Sequence, residues 1–303
     1  MNSIPAEQNS ERQLQRLAAQ RNLYATAKTV FGWQVIVGGP IAVVTAFWII
    51  FNPSYKGYAA AWGIVVALCD LFWLTPWQKR LRDSAARVQE AFDCDVLDLP
   101  WNTLKAGKYP DPELVKEQSE KYKAWQEKMP PLEDWYSVAV GDLPLHVGRL
   151  ACQRSNCWWD SKQRRRYAGW IIFSVVVIFA VVLGASIHGG LTIEGFVLKV
   201  AAPLAPALLL ALRQHSEQTE AAARLDKLKD HAETVWKQAL ARKSKADVTT
   251  LSRNLQDEIL ENRRKSPLVF DRIFKGLRRD YEIQMNHGVA HYVEEAKATL
   301  KIG

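Results

Sequence analysis

The chain has 303 residues, a formal net charge of +8 and 48% hydrophobic residues, so it is long enough to bury a large core. Its four scattered cysteines favour reduced thiols and argue against a disulfide framework. The positive charge favours anionic lipid headgroups or a phosphate-bearing ligand as partners.

The mean hydropathy of −0.17 is that of an ordinary soluble protein, but it averages two different kinds of segment. Apolar residues are concentrated in two blocks, 33–75 and 168–212. A bilayer core about 30 Å thick needs about 20 mostly apolar helical residues. Four stretches approach this length, namely Val35–Phe51, Tyr58–Thr75, Ala168–Ile187 and Leu191–Leu212. The alternative is a soluble protein in which these are buried core helices.

The four stretches form two predicted hairpins, because "NPSYKG" separates the first pair and "HGG" separates the second. Neither loop is rich in positive charge, whereas basic residues flank the other ends of the spans. The positive-inside rule therefore predicts that both termini and the middle segment lie in the cytoplasm. The flanking basic residues are Arg12, Arg16, Arg21, Lys28, Lys79, Arg80, Arg82, Arg87, Lys162, Arg164, Arg165 and Arg166.

Residues 10–30 carry Leu14, Leu17 and Tyr24 near one helical face, with Arg and Gln elsewhere. This pattern predicts a helix leading into the first span. The pattern leaves open whether the helix lies along the membrane surface or is a soluble extension of the span.

The remaining cytoplasmic segments are also predicted to be helical. Residues 78–99 continue the second span, and Asp111 and Pro112 mark the start of a helix that stops before Pro130. After Leu212 we expect a long amphipathic helix, a second helix with Asp247 as its N-cap, and one or two further helices. The apolar positions of the first two recur at helical spacing and predict packing faces; they are Trp236, Leu240, Leu255, Ile259 and Leu260.

Neither a metal site nor an active site has a complete motif. Cys152 and Cys157 have C-x4-C spacing with no second ligand pair, so a tetrahedral zinc site would lack its fourth ligand. Asp93, Asp95 and Asp98 cannot all share one helix face, and no phosphate-binding glycine loop accompanies them. Solvated or salt-bridged carboxylates are the favoured interpretation. We therefore expect no metal, no cofactor and no enzymatic activity.

Three charged residues lie within the predicted spans or near their ends, where insertion of a central charge costs about 2.5–3.5 kcal/mol. These are Asp70, Glu194 and Lys199. Two functional interpretations are a pair between Asp70 and Lys199 or a polar pore lining formed on oligomerisation. The alternative is that the side chains snorkel to the interface.

The segment "CQRSNCWWDSKQRRRY", residues 152–167, combines arginines, an amide and stacking rings directly before the third span. Such groups suit phosphates and nucleobases. Its basic end also fits an aromatic membrane-interface belt. The preceding "CQRSNCWWD" fits a ligand site and a packed cytoplasmic core equally well.

With these motifs the chain resembles the S-4TM family, the four-transmembrane effectors found beside bacterial oligonucleotide second-messenger synthases. The resemblance rests on "VQEAFDCDVLDLPWN" at 88–102, "DWYS" at 134–137, the segment at 152–167 and "LQDEILENRRKSP" at 255–267. It implies a pore-forming effector of anti-phage signalling in systems like CBASS, activated by a cyclic nucleotide.

The family supplies no assigned ligand residues, so the candidates are chosen for their chemistry at positions inside its motifs. They are Gln89, Glu90, Asp93, Trp101, Asn102, Trp135, Tyr136, Gln153, Arg154, Asn156, Trp159, Asp160, Arg263 and Arg264. The predicted pore or intramembrane polar residues are Asp70, Glu194 and Lys199.

The predicted protein is an all-α integral membrane protein of the bacterial inner membrane, with two transmembrane hairpins and a helical cytoplasmic module. Its predicted partners are a cyclic oligonucleotide, anionic lipid and further copies of itself, and not a long nucleic acid. The alternatives are a membrane scaffold or binding protein without a pore, and a housekeeping ion channel or transporter. The predicted segments are an N-terminal helix (1–33), hairpin 1 (34–75), a cytoplasmic insert (76–167), hairpin 2 (168–212) and a C-terminal region (213–303).

Overall fold

The computed structural model describes residues 2–41, 44–45, 48, 52–190, 192–241 and 244–302, and leaves out some helical side chains in these ranges, including that of Lys199. The described residues contain helices and no strand, so the all-α prediction is confirmed. The α-helices are α1 (Ile4–Glu7), α2 (Glu11–Ile36), α3 (Lys56–Cys69), α4 (Thr75–Val96), α5 (Thr103–Ala106), α6 (Pro112–Lys123), α7 (Leu145–His188), α8 (Ile193–Phe196), α9 (Ala202–Leu240), α10 (Lys245–Lys265) and α11 (Asp271–Leu300).

Helix α2 packs along α4 and α6, and its apolar side is buried against them. Leu17 and Ala19 are fully buried, and Leu23 is nearly so. An interfacial helix would keep this apolar side free for lipid. The packing therefore favours the soluble-extension interpretation of residues 10–30.

The long helices α7 and α9 lie against each other, and α10 and α11 pack on them. Their common core contains Phe92 of α4, Leu150 of α7, Trp236 of α9 and Val293 of α11. The predicted packing faces of α9 and α10 are confirmed, since Trp236, Leu240, Leu255, Ile259 and Leu260 are all buried. Middle and C-terminal segments thus share one core.

The predicted helix starts can be compared with the structure, and one of them needs correction; α6 also ends at Lys123, well before the predicted stop at Pro130. Helix α6 begins at Pro112 with Asp111 at its N-cap position, as predicted. Helix α10 begins earlier than predicted: Ser244 occupies the N-cap position and Asp247 lies in the first turn. The prediction of Asp247 as the N-cap was wrong. A first-turn carboxylate also stabilises the helix N-terminus, so the two positions look alike in sequence.

Among the described helices, α7 is the one long and apolar enough to cross a membrane. Its best 18-residue window has a mean hydropathy of 2.7 and is 6% buried. Trp170, Phe173 and Phe179 on this part are each more than half exposed. An apolar surface of this kind suits contact with lipid.

The other three predicted spans each contain a π-helical segment: Val37–Ile41, Asp70–Leu74 and Val197–Ala201. These segments interrupt the α-helices, and α3 alone is 14 residues long. Parts of the first span, 42–43, 46–47 and 49–51, and Leu191 of the fourth lie outside the described residues. The four-span arrangement therefore stays a prediction.

Candidate functional site

Two adjoining cavities of about 190 and 310 Å³ open between α2, α7 and the residues that follow α6. Four residues line both cavities, namely Arg21, Trp135, Asn156 and Trp159. The cavities are therefore parts of one depression, called here the cleft. Small-molecule sites usually have volumes of about 300–1,000 Å³, so the cleft is large enough for a ligand.

Helix α7 presents one continuous face to the cleft. Asn156, Trp159, Asp160, Gln163 and Arg164 all line it. Their spacing of i, i+3, i+4, i+7 and i+8 places them on one side of an α-helix. The same helix continues without interruption to His188, through the apolar stretch.

Trp135 also lines the cleft, in a segment that the N-terminal residues hold in place. Gln8 accepts a hydrogen bond of 2.8 Å from the backbone N–H of Tyr136 and donates one of 3.1 Å to its carbonyl oxygen. The Arg21 guanidinium lies 5.9 Å from the centre of the Trp135 ring. Trp135 and Trp159 are both partly exposed and offer ring surface to a ligand.

The cleft is rich in hydrogen-bond donors. Arg82 donates through Nη1 to the carbonyl oxygen of Ser266 at 3.2 Å, and its buried Nε has no acceptor in the described residues. The Nδ2 of Asn156 and the Nη2 of Arg263 are likewise buried without an acceptor. Burial lowers the pKa of Arg82, because the charged guanidinium is poorly solvated there. An anion with acceptor oxygens would accept hydrogen bonds from these donors and would also stabilise the charge of Arg82.

Other charges at the cleft are compensated within the protein. Arg164 is 3.0 Å from Asp160 and also donates to the carbonyl oxygen of Pro267. Lys28 pairs with Asp271 at the start of α11. These pairs tie α2 and α7 to the segment that leads into α11.

Beneath the cleft, α4 and α10 are joined by a buried ionic network. Arg253 lies 2.6 Å from Glu90, and Arg263 lies 2.6 Å from Asp93. Gln256 donates to both carboxylates at 2.9 Å. Burial and the neighbouring Asp93 raise the pKa of Glu90.

The network reaches the cleft wall and α7. The hydroxyl of Tyr136 donates to Asp93 at 2.7 Å, and Gln153 donates to Gln256 at 3.0 Å. Ser252 completes this link by donating to Gln153. Because their polar groups bind one another, these residues form a rigid support for the cleft.

A second set of contacts holds the loop around α5. Asn102 caps α5 through its side-chain oxygen and donates to Asp257 at 2.8 Å. Trp101 donates to the carbonyl oxygen of Gly107, and Arg264 donates to those of Lys105 and Ala106. These contacts are separate from the cleft.

A larger cavity of about 980 Å³ lies among the predicted spans and is lined by residues from α2, α3, α4 and α9. Asp70 lines it and accepts a hydrogen bond of 2.6 Å from Gln34. Thr75 bonds to both side chains. Glu194 is exposed, and the side chain of Lys199 lies outside the described residues, so the predicted pair with Asp70 is untested.

Over the described range, no cluster of three His, Cys, Asp or Glu side chains could hold a metal ion. The four cysteines are free, and Cys94, Cys152 and Cys157 are buried.

The SMODS-associating 4TM effector domain matches this chain over residues 2–292. The chain belongs to this family. A probable CBASS effector molecule of Bacillus cereus (strain VD146) is 23% identical over 229 residues, which are 73% of this chain and 76% of the relative. No solved structure matches the chain. The family and this relative support a role as an anti-phage effector, and they confirm the resemblance drawn from the motifs.

Within this 4TM effector, the cleft gathers half of the predicted ligand residues. They are Gln89, Trp135, Tyr136, Asn156, Trp159, Asp160 and Arg263. Glu90, Asp93 and Gln153 lie in the supporting network, and Trp101, Asn102 and Arg264 hold the α5 loop. Arg154 belongs to none of these three groups. It pairs with Glu233 at 3.0 Å and lies over the Tyr292 ring.

Several residues of the cleft and its support were absent from the predicted set. Gln163 shares the α7 face with Asn156, so its helical spacing was a usable signal. Gln20 and Arg21 line the cleft from α2, about 130 residues away in sequence, and Arg253 neutralises Glu90 from α10. No local pattern indicates contacts of this range.

Proposed function

We propose that this chain is a membrane effector of bacterial anti-phage defence that binds a cyclic oligonucleotide in the cleft and then permeabilises the inner membrane. The observation that carries the proposal is the position of the cleft on α7. One face of this helix lines the cleft between Asn156 and Arg164, and the same helix continues into the apolar segment.

The cleft matches the chemistry of a nucleotide. Phosphate oxygens are acceptors, and the buried Nε of Arg82 and Nδ2 of Asn156 are donors without acceptors in the described residues. Bases stack on aromatic rings, and Trp135 and Trp159 both line the cleft with such rings. Cavity volumes of about 190 and 310 Å³ favour a small ligand over a long nucleic acid.

Ligand binding would act on the membrane through differential affinity. A ligand shifts a conformational equilibrium only as far as it binds one state more tightly than another. Because α7 is a single helix of 44 residues that lines the cleft, a ligand that moves it at the cleft would also move the apolar segment of the same helix. We propose that the favoured state is an oligomer whose spans enclose a pore.

In this proposal the protein crosses the membrane four times, with both termini and the cytoplasmic module on the inner side. Clustered Lys and Arg residues beside the spans support this orientation and contact anionic headgroups. Asp70, with Gln34 and Thr75, would supply polar groups to the open pore, and Glu194 and Lys199 would flank it. The protein would act without catalysis.

Co-expression in bacteria tests the proposal. The chain is produced with an active cyclic-oligonucleotide synthase or with a catalytically inactive one, and membrane potential is followed with a voltage-sensitive dye. Depolarisation only with the active synthase supports the proposal. Depolarisation that is independent of the synthase favours a housekeeping channel or transporter. An unchanged potential, with the ligand bound to the purified chain, favours a scaffold.

A further inference from the structure

Three largely buried glutamine side chains line the cleft without a hydrogen-bond partner in the part of the chain that the structure describes. Gln20 is 3% exposed, Gln89 is 7% and Gln163 is 8%. None of the three makes a side-chain hydrogen bond to another of the residues described. Unlike Nδ2 of Asn156, their amide atoms are not sealed from solvent, so they face the open cavity and are available to hydrogen-bond a ligand.

These amides come from three different helices, α2, α4 and α7, and they converge on the same cavity. Asn156 adds a fourth amide, whose buried Nδ2 has no acceptor among described groups. Gln163 lies seven residues after Asn156, two turns along the same helix face. The set is therefore built by tertiary packing and is not a feature of one segment.

The charged groups of the cleft are less available for recognising a base edge. Arg263 is bonded to Asp93, and Arg164 to Asp160. Asp271 is engaged by Lys28. Guanine is best recognised by the two parallel donors of an arginine at its O6 and N7 atoms. In the cleft Arg164 and Arg263 bind carboxylates of the protein, whereas Arg82 donates to the carbonyl oxygen of Ser266 and is the arginine left for a phosphate.

Amide side chains have the complementary pattern for adenine. A glutamine or asparagine donates to N7 and accepts from the N6 amino group, which forms a bidentate pair. Trp135 and Trp159 add ring faces on which the same base can stack. The donors and acceptors of the cleft therefore fit adenine better than guanine.

We propose that the cleft recognises an adenine base of the activating nucleotide through Gln20, Gln89, Gln163 and Asn156. This inference rests on the proposed function and specifies the base at that site. It adds Gln20 and Gln163 as specificity residues.

The experiment measures binding of cyclic di-AMP and cyclic di-GMP to the full chain in detergent micelles by isothermal titration calorimetry. We expect cyclic di-AMP to bind at least about tenfold more tightly than cyclic di-GMP, because one bidentate amide pair with adenine provides about this much discrimination between bases. Gln163→Leu and Gln89→Leu should each reduce this preference to within about threefold. Gln126→Leu, which alters an exposed glutamine, should leave it unchanged.

Thermal unfolding of each variant controls for folding. If a leucine variant is destabilised, Gln163→Glu provides the second test, because it keeps the size and polarity of the side chain but removes the amide donor. It should also weaken cyclic di-AMP binding by about tenfold.

The outcomes separate the inference from the proposed function. Equal or tighter binding of cyclic di-GMP overturns the adenine assignment and leaves the cyclic-nucleotide proposal standing. Preference for cyclic di-AMP that all glutamine variants retain also overturns the assignment. If a wider panel of cyclic di- and trinucleotides shows no binding, both fail.

Discussion

The guanidinium Nη1 of Arg263 lies 2.6 Å from Asp93 Oδ2 in the interior of the helical module, with the two side chains 8% and 0% exposed. A second pair, Glu90 with Arg253, lies in the same network, so two carboxylates of α4 are neutralised by two arginines of α10. The pairing joins residues 170 positions apart and fixes one helix against the other directly below the cleft.

We predict that Arg263→Met strongly destabilises the protein. It leaves the buried carboxylate of Asp93 without its counter-ion, which typically costs about 3–5 kcal/mol. The thermal unfolding midpoint in detergent should fall on the order of 10 °C. Lys265→Met removes an exposed pair with Glu261 on the same helix and should change stability by less than about 1 kcal/mol. Equal effects of the two substitutions would show that the network does not hold the module together.

The buried cysteines should be unreactive in the folded protein. Burial raises the pKa of Cys157 to about 12, and it raises the pKa of Cys94 and Cys152 above the usual value. A raised pKa keeps the thiol protonated at pH 8, and only the thiolate is an efficient nucleophile. Maleimide labelling at pH 8, followed by mass spectrometry, should modify these residues in denatured protein but not in native protein. Rapid native labelling of Cys157 would contradict the packing of α7.

Arg82 should contribute to ligand affinity through its charge. We expect Arg82→Met to weaken binding of the activating nucleotide by about tenfold or more, because hydrogen bonds from charged groups contribute about 1.5–3 kcal/mol. Affinity of the variant should also depend less on salt concentration, which screens the lost interaction. Arg80→Met makes the same charge change at an exposed position of α4 and should leave affinity unchanged. Equal losses in both variants would point to net charge and not to a contact in the cleft.

Asp70 should affect permeation without affecting ligand binding. Asp70→Leu removes the acceptor of the Gln34 hydrogen bond at the larger cavity, which shares no described lining residue with the cleft. We expect ligand-triggered leakage to be lost while the dissociation constant stays within about twofold of the original, a difference well under 1 kcal/mol. Asp230→Leu, a matched change at an exposed position of α9, should leave both properties unaltered. Loss of binding in Asp70→Leu would indicate misfolding instead.

Helix positions were predictable because their signals are local. Pro112 with Asp111 before it marks the start of α6, and the apolar periodicity of α9 and α10 predicts their buried faces. The different helix faces of Asp93 and Asp95 predicted solvated or salt-bridged carboxylates, and both are salt-bridged, Asp93 with Arg263 and Asp95 with Arg16. Local rules sufficed for each of these features.

The cleft was only partly predictable, because its walls come from distant segments. Asn156, Trp159 and Asp160 were recognisable as a polar and aromatic group on one helix. Gln20 has no unusual neighbours in sequence, and only the packing of α2 on α4 brings it to the cleft. Conversely, Glu90 has the chemistry of a ligand contact, but its oxygens are engaged by Arg253 and Gln256. Sequence gives the type of a side chain but not its partners.

The most direct test of the account is dye release from vesicles of anionic lipid that contain the full chain, titrated with a panel of cyclic di- and trinucleotides. We predict release with an adenine-containing ligand, loss of that release in Arg82→Met, and retention in Arg80→Met. If correctly inserted protein releases no dye with any ligand of the panel, the account of a nucleotide-gated pore is contradicted.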